Sequence, residues 1–301
     1  MAMHILGDWG STRLRLWLVN QGEVEERADG PGIGALQQSP AATLGTIMAP
    51  WLATGRVQRI VLCGMAGARG ALHEAGYVDC PAGVDDWRSG AAHTMFGSVA
   101  LRIGAGLACR SAAGVADVMR GEETQMFGAI ALDAALSQGR HRIILPGTHS
   151  KWIELADGRI TGFRTFPTGE LFALLQRSSL LAPPRTGASQ AQAENTGFAA
   201  GIARAQDGSG LLGKLFEARA GQLRDGRSPE WAEGFVSGLI IGSEVNEMLR
   251  INSPHGAVTI IGDPRLAARY EAALNGSGVQ GQRGDGDGCV LAGLRLLDAD
   301  D

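Results

Sequence analysis

Twice along this chain a strand runs into a glycine-bearing turn and out again into a second strand. The first copy is His4-Ile5-Leu6, leading through Gly7-Asp8-Trp9-Gly10-Ser11-Thr12 into Arg13–Val19. That last stretch alternates with period two, so Leu14, Leu16 and Leu18 share one face and Arg13, Arg15 and Trp17 the other. The second copy is Arg142–Leu145, the turn Pro146-Gly147-Thr148-His149-Ser150, and Lys151–Leu155. Asp157-Gly158 then makes a tight hairpin turn and Arg159–Arg164 returns. The repetition reads as an internal duplication with a boundary near residue 138, and 301 residues suit two domains of about 150.

The other segments read as helices and strands in alternation, which predicts an α/β chain with mixed sheets. A helix is expected around Thr43–Leu52, then a strand, Arg59–Cys63, ending at Gly64 and followed by a loop-rich stretch to Gly90. Ala116–Leu136 reads as a helix carrying the Glu122-Glu123 pair in its first half. Further helices are expected at Glu170–Leu181, Ala191–Ala205, Glu230–Arg250, Arg265–Leu274 and Gly288–Leu297. In the third of these Gly234, Gly238 and Gly242 stand four apart and leave one side of bare backbone. Val258–Ile261 is a strand ending at Gly262-Asp263-Pro264.

Composition removes several classes. A net charge of −4 gives no basic footprint for nucleic acid. Four widely spaced cysteines without C-x-x-C, and histidines without close partners, argue against a disulfide framework or a zinc site. The uncharged stretch from Pro31 to Gly55 is broken by Pro31, Pro40, Pro50 and glycines, which is wrong for a membrane span. The start of the chain shows no basic region followed by an apolar one, so a cytoplasmic protein is expected. With 45 glycines, glycine motifs arise by chance. Gly-x-Gly-x-x-Gly at 208–213 and 276–281 follows no strand, and composition alone gives roughly one such match. Lys214 after the first of these is followed by Leu215 where a phosphate loop needs Ser or Thr, and no Gly-x-Ser-x-Gly elbow occurs.

The two turns carry the chemistry. Asp8, leaving a buried strand, offers a carboxylate to Mg²⁺ through water, and Gly10, Ser11, Thr12 and Arg13 offer donors to phosphate oxygens. An ordinary hairpin, in which Asp and Ser satisfy the turn, fits that segment equally well on its own. The second turn shifts the balance, because Gly147, Thr148 and Lys151 again place glycine, hydroxyl and cation between strands. Lys151 is one of two lysines against 25 arginines, which marks a place where a flexible point charge is wanted. Gly262-Asp263 adds a glycine-lined strand end for adenosine. Two such turns and one such edge are the arrangement of the actin-like ATPase and sugar kinase clan.

The chain further resembles the 2-dehydro-3-deoxygalactonokinase family. The resemblance lies in Asp8-Trp9-Gly10-Ser11-Thr12-x-Leu14-Arg15, Gly64-Met65-x-Gly67, Met119–Gln125 and Pro146-Gly147-Thr148-His149-x-Lys151-Trp152. It continues in Phe163-Arg164-Thr165, Thr168-Gly169-Glu170-Leu171 and Ser237–Gly242. It implies a two-domain actin-like (ribonuclease H-like) fold with an interdomain nucleotide cleft. Residues 1–138 would hold the first turn and the acceptor site; residues 139–301 would hold the second turn and the adenosine edge. The last helix is a candidate to return to the first domain. It also implies ATP and Mg²⁺ as cofactors, with γ-phosphoryl transfer to the terminal hydroxyl of 2-dehydro-3-deoxy-D-galactonate, giving the 6-phosphate in galactose and galactonate breakdown. The expected partner is that small sugar acid, with no nucleic acid and no membrane; a homodimer is left open.

Arg120-Gly121-Glu122-Glu123 also resembles the Gly-x-Glu-Glu segment of exopolyphosphatases, which makes Glu123, or Glu122, the candidate general base. A solvated helix start is the alternative for this pair. Arg69 and Arg164 are candidates for the substrate carboxylate. The chain departs from the family pattern at Ala68–Glu74 and at Asp263-Pro264, and Pro146 stands where the wider clan carries an acid. Competing readings are a phosphohydrolase of exopolyphosphatase type, a kinase for a related 2-keto-3-deoxy sugar acid, and a non-enzymatic nucleotide switch.

Overall fold

In the computed structural model, which describes residues 3–177, 191–251 and 256–299, both repeats fold as hairpins. Strand β1 (Met3–Trp9) pairs antiparallel with β2 (Arg13–Asn20), and β3 (Glu23–Pro31) follows through Gln21-Gly22, both of positive φ. Leu14, Leu16 and Leu18 are buried, as the alternation requires. Helix α1 (Pro40–Leu52) packs Leu44, Met48 and Trp51 into the same core. It starts at Pro40, three residues before the expected start, with Ser39 Oγ accepting from the Ala42 N–H as its cap.

Strand β4 (Val57–Gly64) lies parallel to β1. Then come β5 (Tyr77–Asp79), α2 (Val84–Ser89), β6 (Ala92–Phe96), β7 (Val99–Ile103), β8 (Gly106–Arg110), β9 (Ala116–Met119) and α3 (Glu122–Leu132). The strands form one sheet of order β3-β2-β1-β4-β7-β6 and a small one of order β5-β8-β9.

The helix expected over Ala116–Leu136 is therefore corrected. Its first residues form β9 on the edge of β8, and Gly121, at φ 111, turns the chain before α3 begins. Past Leu132 the chain makes only a short 3-10 turn, Ala134–Ser137, capped by Asp133. Asp117 and Val118 favour a helix least, and the open hydrogen-bonding groups of β8 outweigh the local helix preference of Ala116 and Met119.

The second repeat gives β10 (Arg140–Leu145), β11 (Ser150–Ala156) and β12 (Arg159–Phe166), the last two joined by Asp157-Gly158 with positive φ at both residues. Helices α4 (Thr168–Gln176), α5 (Ala191–Ala205), α6 (Leu211–Leu215), α7 (Glu217–Asp225) and α8 (Pro229–Ile251) follow. The expected helix over 170–181 is met as far as Gln176, and its residues 178–181 lie outside the described residues. Strand β13 (Val258–Gly262), α9 (Pro264–Gly276), β14 (Gly281–Asp285) and α10 (Gly286–Asp298) complete the order. The sheet runs β12-β11-β10-β13-β14, with β10, β13 and β14 mutually parallel, so β3-β2-β1-β4 recurs as β12-β11-β10-β13.

The chain divides into two compact units. Unit 1 is Met1–Arg140, Glu154–Phe163 and Gly286–Asp301; unit 2 is His141–Ile153 and Arg164–Asp285. In unit 2 the glycine stripe of α8 meets α5 backbone to backbone. A Cβ on Gly234 would lie 2.0 Å from Glu194 O, and one on Gly238 2.1 Å from Phe198 O. In unit 1 the same device joins α3 to α10, where a Cβ on Gly128 would lie 1.8 Å from Cys289 O.

Candidate active site

The hairpin register sets Asp8 opposite Arg15, and the parallel pairing with β4 sets it beside Cys63. Arg15 Nη2 donates to Asp8 Oδ2 at 2.7 Å, while Nη1 is bound to Asp287 in the first turn of α10. Cys63 Sγ, fully buried, lies 3.6 Å from Asp8 Oδ1. Burial pushes this thiol well up, and the charges of Asp8 and Glu123 push the same way. Gly64, at φ 72, lets the strand ends meet: a Cβ there would lie 2.6 Å from Trp9 O. Gly121 is equally close on the other side, its own Cβ position being 3.2 Å from Gly64 Cα. The start of α3 is thereby brought against the ends of β1 and β4, and Asp8, Cys63 and Glu123 share one locality.

Glu123 has no exposed surface, and both its oxygens accept from the Gly121 N–H, at 2.8 and 2.7 Å. Burial, and after it the charge of Glu122, raises its proton affinity from 4.5 to about 8. Glu122 is half-buried, with Oε2 accepting from the Arg120 N–H at 3.2 Å. Two acids in a helix's first turn face the positive end of its dipole.

The turn between β1 and β2 is clamped from behind, because Ile33 N donates to Gly10 O and Gly34 N to Ser11 O, at 3.1 and 3.0 Å. Gly32 presses so close that a Cβ would sit 2.4 Å from Ser11 C. Ser11 and Thr12 are exposed on the other side. Arg13 is exposed as well and pairs with Asp29 at 2.8 Å. Arg69 is exposed in the stretch after β4.

In unit 2 the turn after β10 exposes Thr148 and His149 and leaves Gly147 half-buried. The first turn of α4 rests on it: Glu170 N donates to Thr148 O at 2.9 Å, and Glu170 Oε2 meets His149 Nε2 at 2.8 Å. Only glycine fits at 169, where a Cβ would lie 2.3 Å from Gly147 O. Gly262 ends β13 alongside, its Cβ position 3.3 Å from Pro146 Cδ. Asp263 Oδ1 accepts from the N–H groups of Arg265 and Leu266 at 3.0 and 3.1 Å, so Asp263-Pro264 is a cap and first-turn proline for α9. Gly147, Thr148 and Gly262 thus lie together at the carboxyl ends of parallel strands, where open α/β sheets bind ligands. Lys151 lies one residue into β11 and is buried. Arg164 is exposed, pairs with Glu247 at 2.7 Å and lies over the Phe166 ring.

Sequence reasoning missed two residues. Arg15 follows from hairpin register, which a centred two-residue turn would have given. Glu244 is a buried carboxylate on α8 amid Ile240, Ile241, Val245 and Met248; a lone acid on an apolar helix face was its signal.

Among the described residues no three His, Cys, Asp or Glu side chains are grouped to hold a metal. Mg²⁺ carried by a nucleotide needs only one or two carboxylates besides phosphate and water, and Asp8 beside two exposed hydroxyls fits that requirement.

A strand order repeated in two sheets, each with a glycine turn after its first strand, defines an actin-like ATPase and sugar kinase fold. A Clostridium difficile activator of 2-hydroxyisocaproyl-CoA dehydratase, 12% identical, shares this fold alone, with a TM-score of 0.53 over 98% of this chain and 94% of its own. Within that class the chain belongs to the 2-keto-3-deoxy-galactonokinase family, whose sequence pattern matches residues 8–297. A Rhizobium meliloti protein named as a probable 2-dehydro-3-deoxygalactonokinase is 36% identical over 295 residues, 95% of this chain and 94% of its own. The 2-dehydro-3-deoxygalactonokinase of Escherichia coli is 35% identical over 98% of this chain and 97% of its own. The crystal structure of a Sinorhizobium meliloti protein bearing the same family name is 34% identical, with a TM-score of 0.85 over 98% of this chain and 97% of that one.

Proposed function

We propose that this protein is an ATP-dependent kinase that phosphorylates the terminal hydroxyl of 2-dehydro-3-deoxy-D-galactonate to the 6-phosphate in galactonate catabolism, in the cytoplasm. The observation that carries this reading is the family match over residues 8–297, joined by end-to-end relatives of that name. Among the described residues no helix is long and apolar enough to cross a membrane.

Phosphoryl transfer depends on positioning and charge neutralisation. Gly10, Ser11, Thr12 and Arg13 of the first turn, and Gly147 and Thr148 of the second, contact the polyphosphate of ATP, with Gly262 beside the adenosine. Lys151 adds positive potential from within β11. Mg²⁺ would be held by Asp8 and would neutralise phosphate charge. Arg15, which Asp287 also holds, would keep a partner while Asp8 served the metal. Glu122, half-buried, takes the proton of the acceptor hydroxyl; Glu123, uncharged at neutral pH, spares it a second buried negative charge. Arg69 meets the substrate carboxylate, since Arg164 is engaged by Glu247.

An assay of ADP release against a panel of 2-keto-3-deoxy sugar acids, with acceptor-free ATP as control, tests the reading. ADP should form with the galactonate-derived acid and stay near background without acceptor. Equal phosphate release from ATP or polyphosphate alone would replace the kinase with a phosphohydrolase.

A further inference from the structure

Glu244 accepts four hydrogen bonds inside unit 2, from Ser150 Oγ and Trp152 Nε1 at 2.7 Å, Tyr270 OH at 2.8 Å, and Thr168 Oγ1. It is fully enclosed; burial pushes its proton affinity up while the four donors pull it down. A carboxylate among apolar side chains is costly unless every lone pair is used, and a hydrophobic residue would fill the space at least as stably. What a hydrophobic residue cannot do is fix the direction of separate hydroxyls.

Two of the donors stand next to what shapes the second phosphate turn. Ser150 is the first residue of β11 after Thr148-His149, and Thr168 opens α4, whose next residues, Gly169 and Glu170, rest on Gly147 and Thr148. The other two, Trp152 and Tyr270, lie deeper in the same core. We infer that Glu244 is a positioning residue for nucleotide binding: one carboxylate pins Ser150, just past the Gly147-Thr148 turn, and Thr168, at the start of the helix that rests on that turn, and so holds the turn's backbone in shape for phosphate. The inference rests on the reading of that turn as a phosphate contact.

Four single variants each delete one donor to the same carboxylate: Ser150→Ala, Thr168→Val, Trp152→Phe and Tyr270→Phe. Calorimetric ATP binding, steady-state kinetics and thermal melting are measured for each. Ser150→Ala and Thr168→Val should raise the Kd and KM for ATP by at least about five-fold, with a smaller change in kcat. Trp152→Phe and Tyr270→Phe should lower Tm as much, yet keep the ATP Kd within about two-fold of the parent. If all four weaken ATP in step with their Tm, or if none does, Glu244 is only a core anchor. Thr148→Ala separates the two failures. Weaker ATP binding there, with none at Ser150 or Thr168, overturns the inference and keeps the turn as a phosphate contact. No effect at Thr148 either removes the turn's role itself.

Discussion

Asp8 is gripped on both oxygens, by Arg15 on one side and by the Cys63 thiol on the other. Asp8→Asn preserves the shape of that contact and removes the charge. Turnover should fall by at least about a hundred-fold with the melting temperature nearly unchanged, and near-normal kcat in this variant would end the metal role. Glu123 gives a different handle. Its folded proton affinity is raised from 4.5 to about 8, so its contribution to stability is complete below the lower value and is lost as pH rises through the upper one. Glu123→Gln cannot ionise. Relative to the parent it should gain stability between about pH 5 and pH 9, by at most about 1.4 kcal/mol per pH unit across the titration range. Urea midpoints that move in parallel for both proteins would mean that the buried carboxyl is not strained by its charge. The sequence singled out Asp8 at a strand end beside glycine, and Glu123 through the resemblance of Arg120-Gly121-Glu122-Glu123 to exopolyphosphatases. It did not show that Glu123 faces inward, since the rotation of α3 is set by the distant residues of α10 that pack on it.

Helix contacts built on glycine make sharp demands. Gly238→Ala would place a methyl 2.1 Å from the Phe198 carbonyl, so α5 and α8 must part. A loss of at least about 2 kcal/mol in urea unfolding is expected, against a gain of roughly half a kcal/mol for Gly213→Ala, whose side has open space. Equal effects would mean that the interface yields freely. The spacing of Gly234, Gly238 and Gly242 was legible because helical periodicity is local. Strand β3 was not: none of its residues is buried, so no apolar alternation marks it, as expected of a strand at the sheet's edge. Strand β14, Gly-Gln-Arg-Gly-Asp, carries no hydrophobic pattern at all and owes its form to pairing with β13. The misread start of α3 has the same origin, for β9 exists only because β8 is next to it.

The chain passes between its two units after residues 140, 153, 163 and 285. Neither unit is therefore a continuous stretch of sequence, and α10 belongs to the packing of unit 1, with Val290, Leu294 and Leu297 buried. Removing residues 286–301 strips α3 of its partner, and limited proteolysis should then degrade unit 1 while the full chain resists; equal resistance would make α10 dispensable. The repeated strand order could be read from the two turns. Of the non-contiguous membership only the last helix was foreseen, from the family resemblance; that Glu154–Phe163 also belongs to unit 1 rests on long-range contacts that leave no periodic trace.

This arrangement also fixes a timetable during synthesis. Every residue of the second unit is translated before the closing helix of the first begins. The nascent polypeptide must therefore carry the packing of α3 unfinished until α10 is made, with Arg15 still waiting for Asp287.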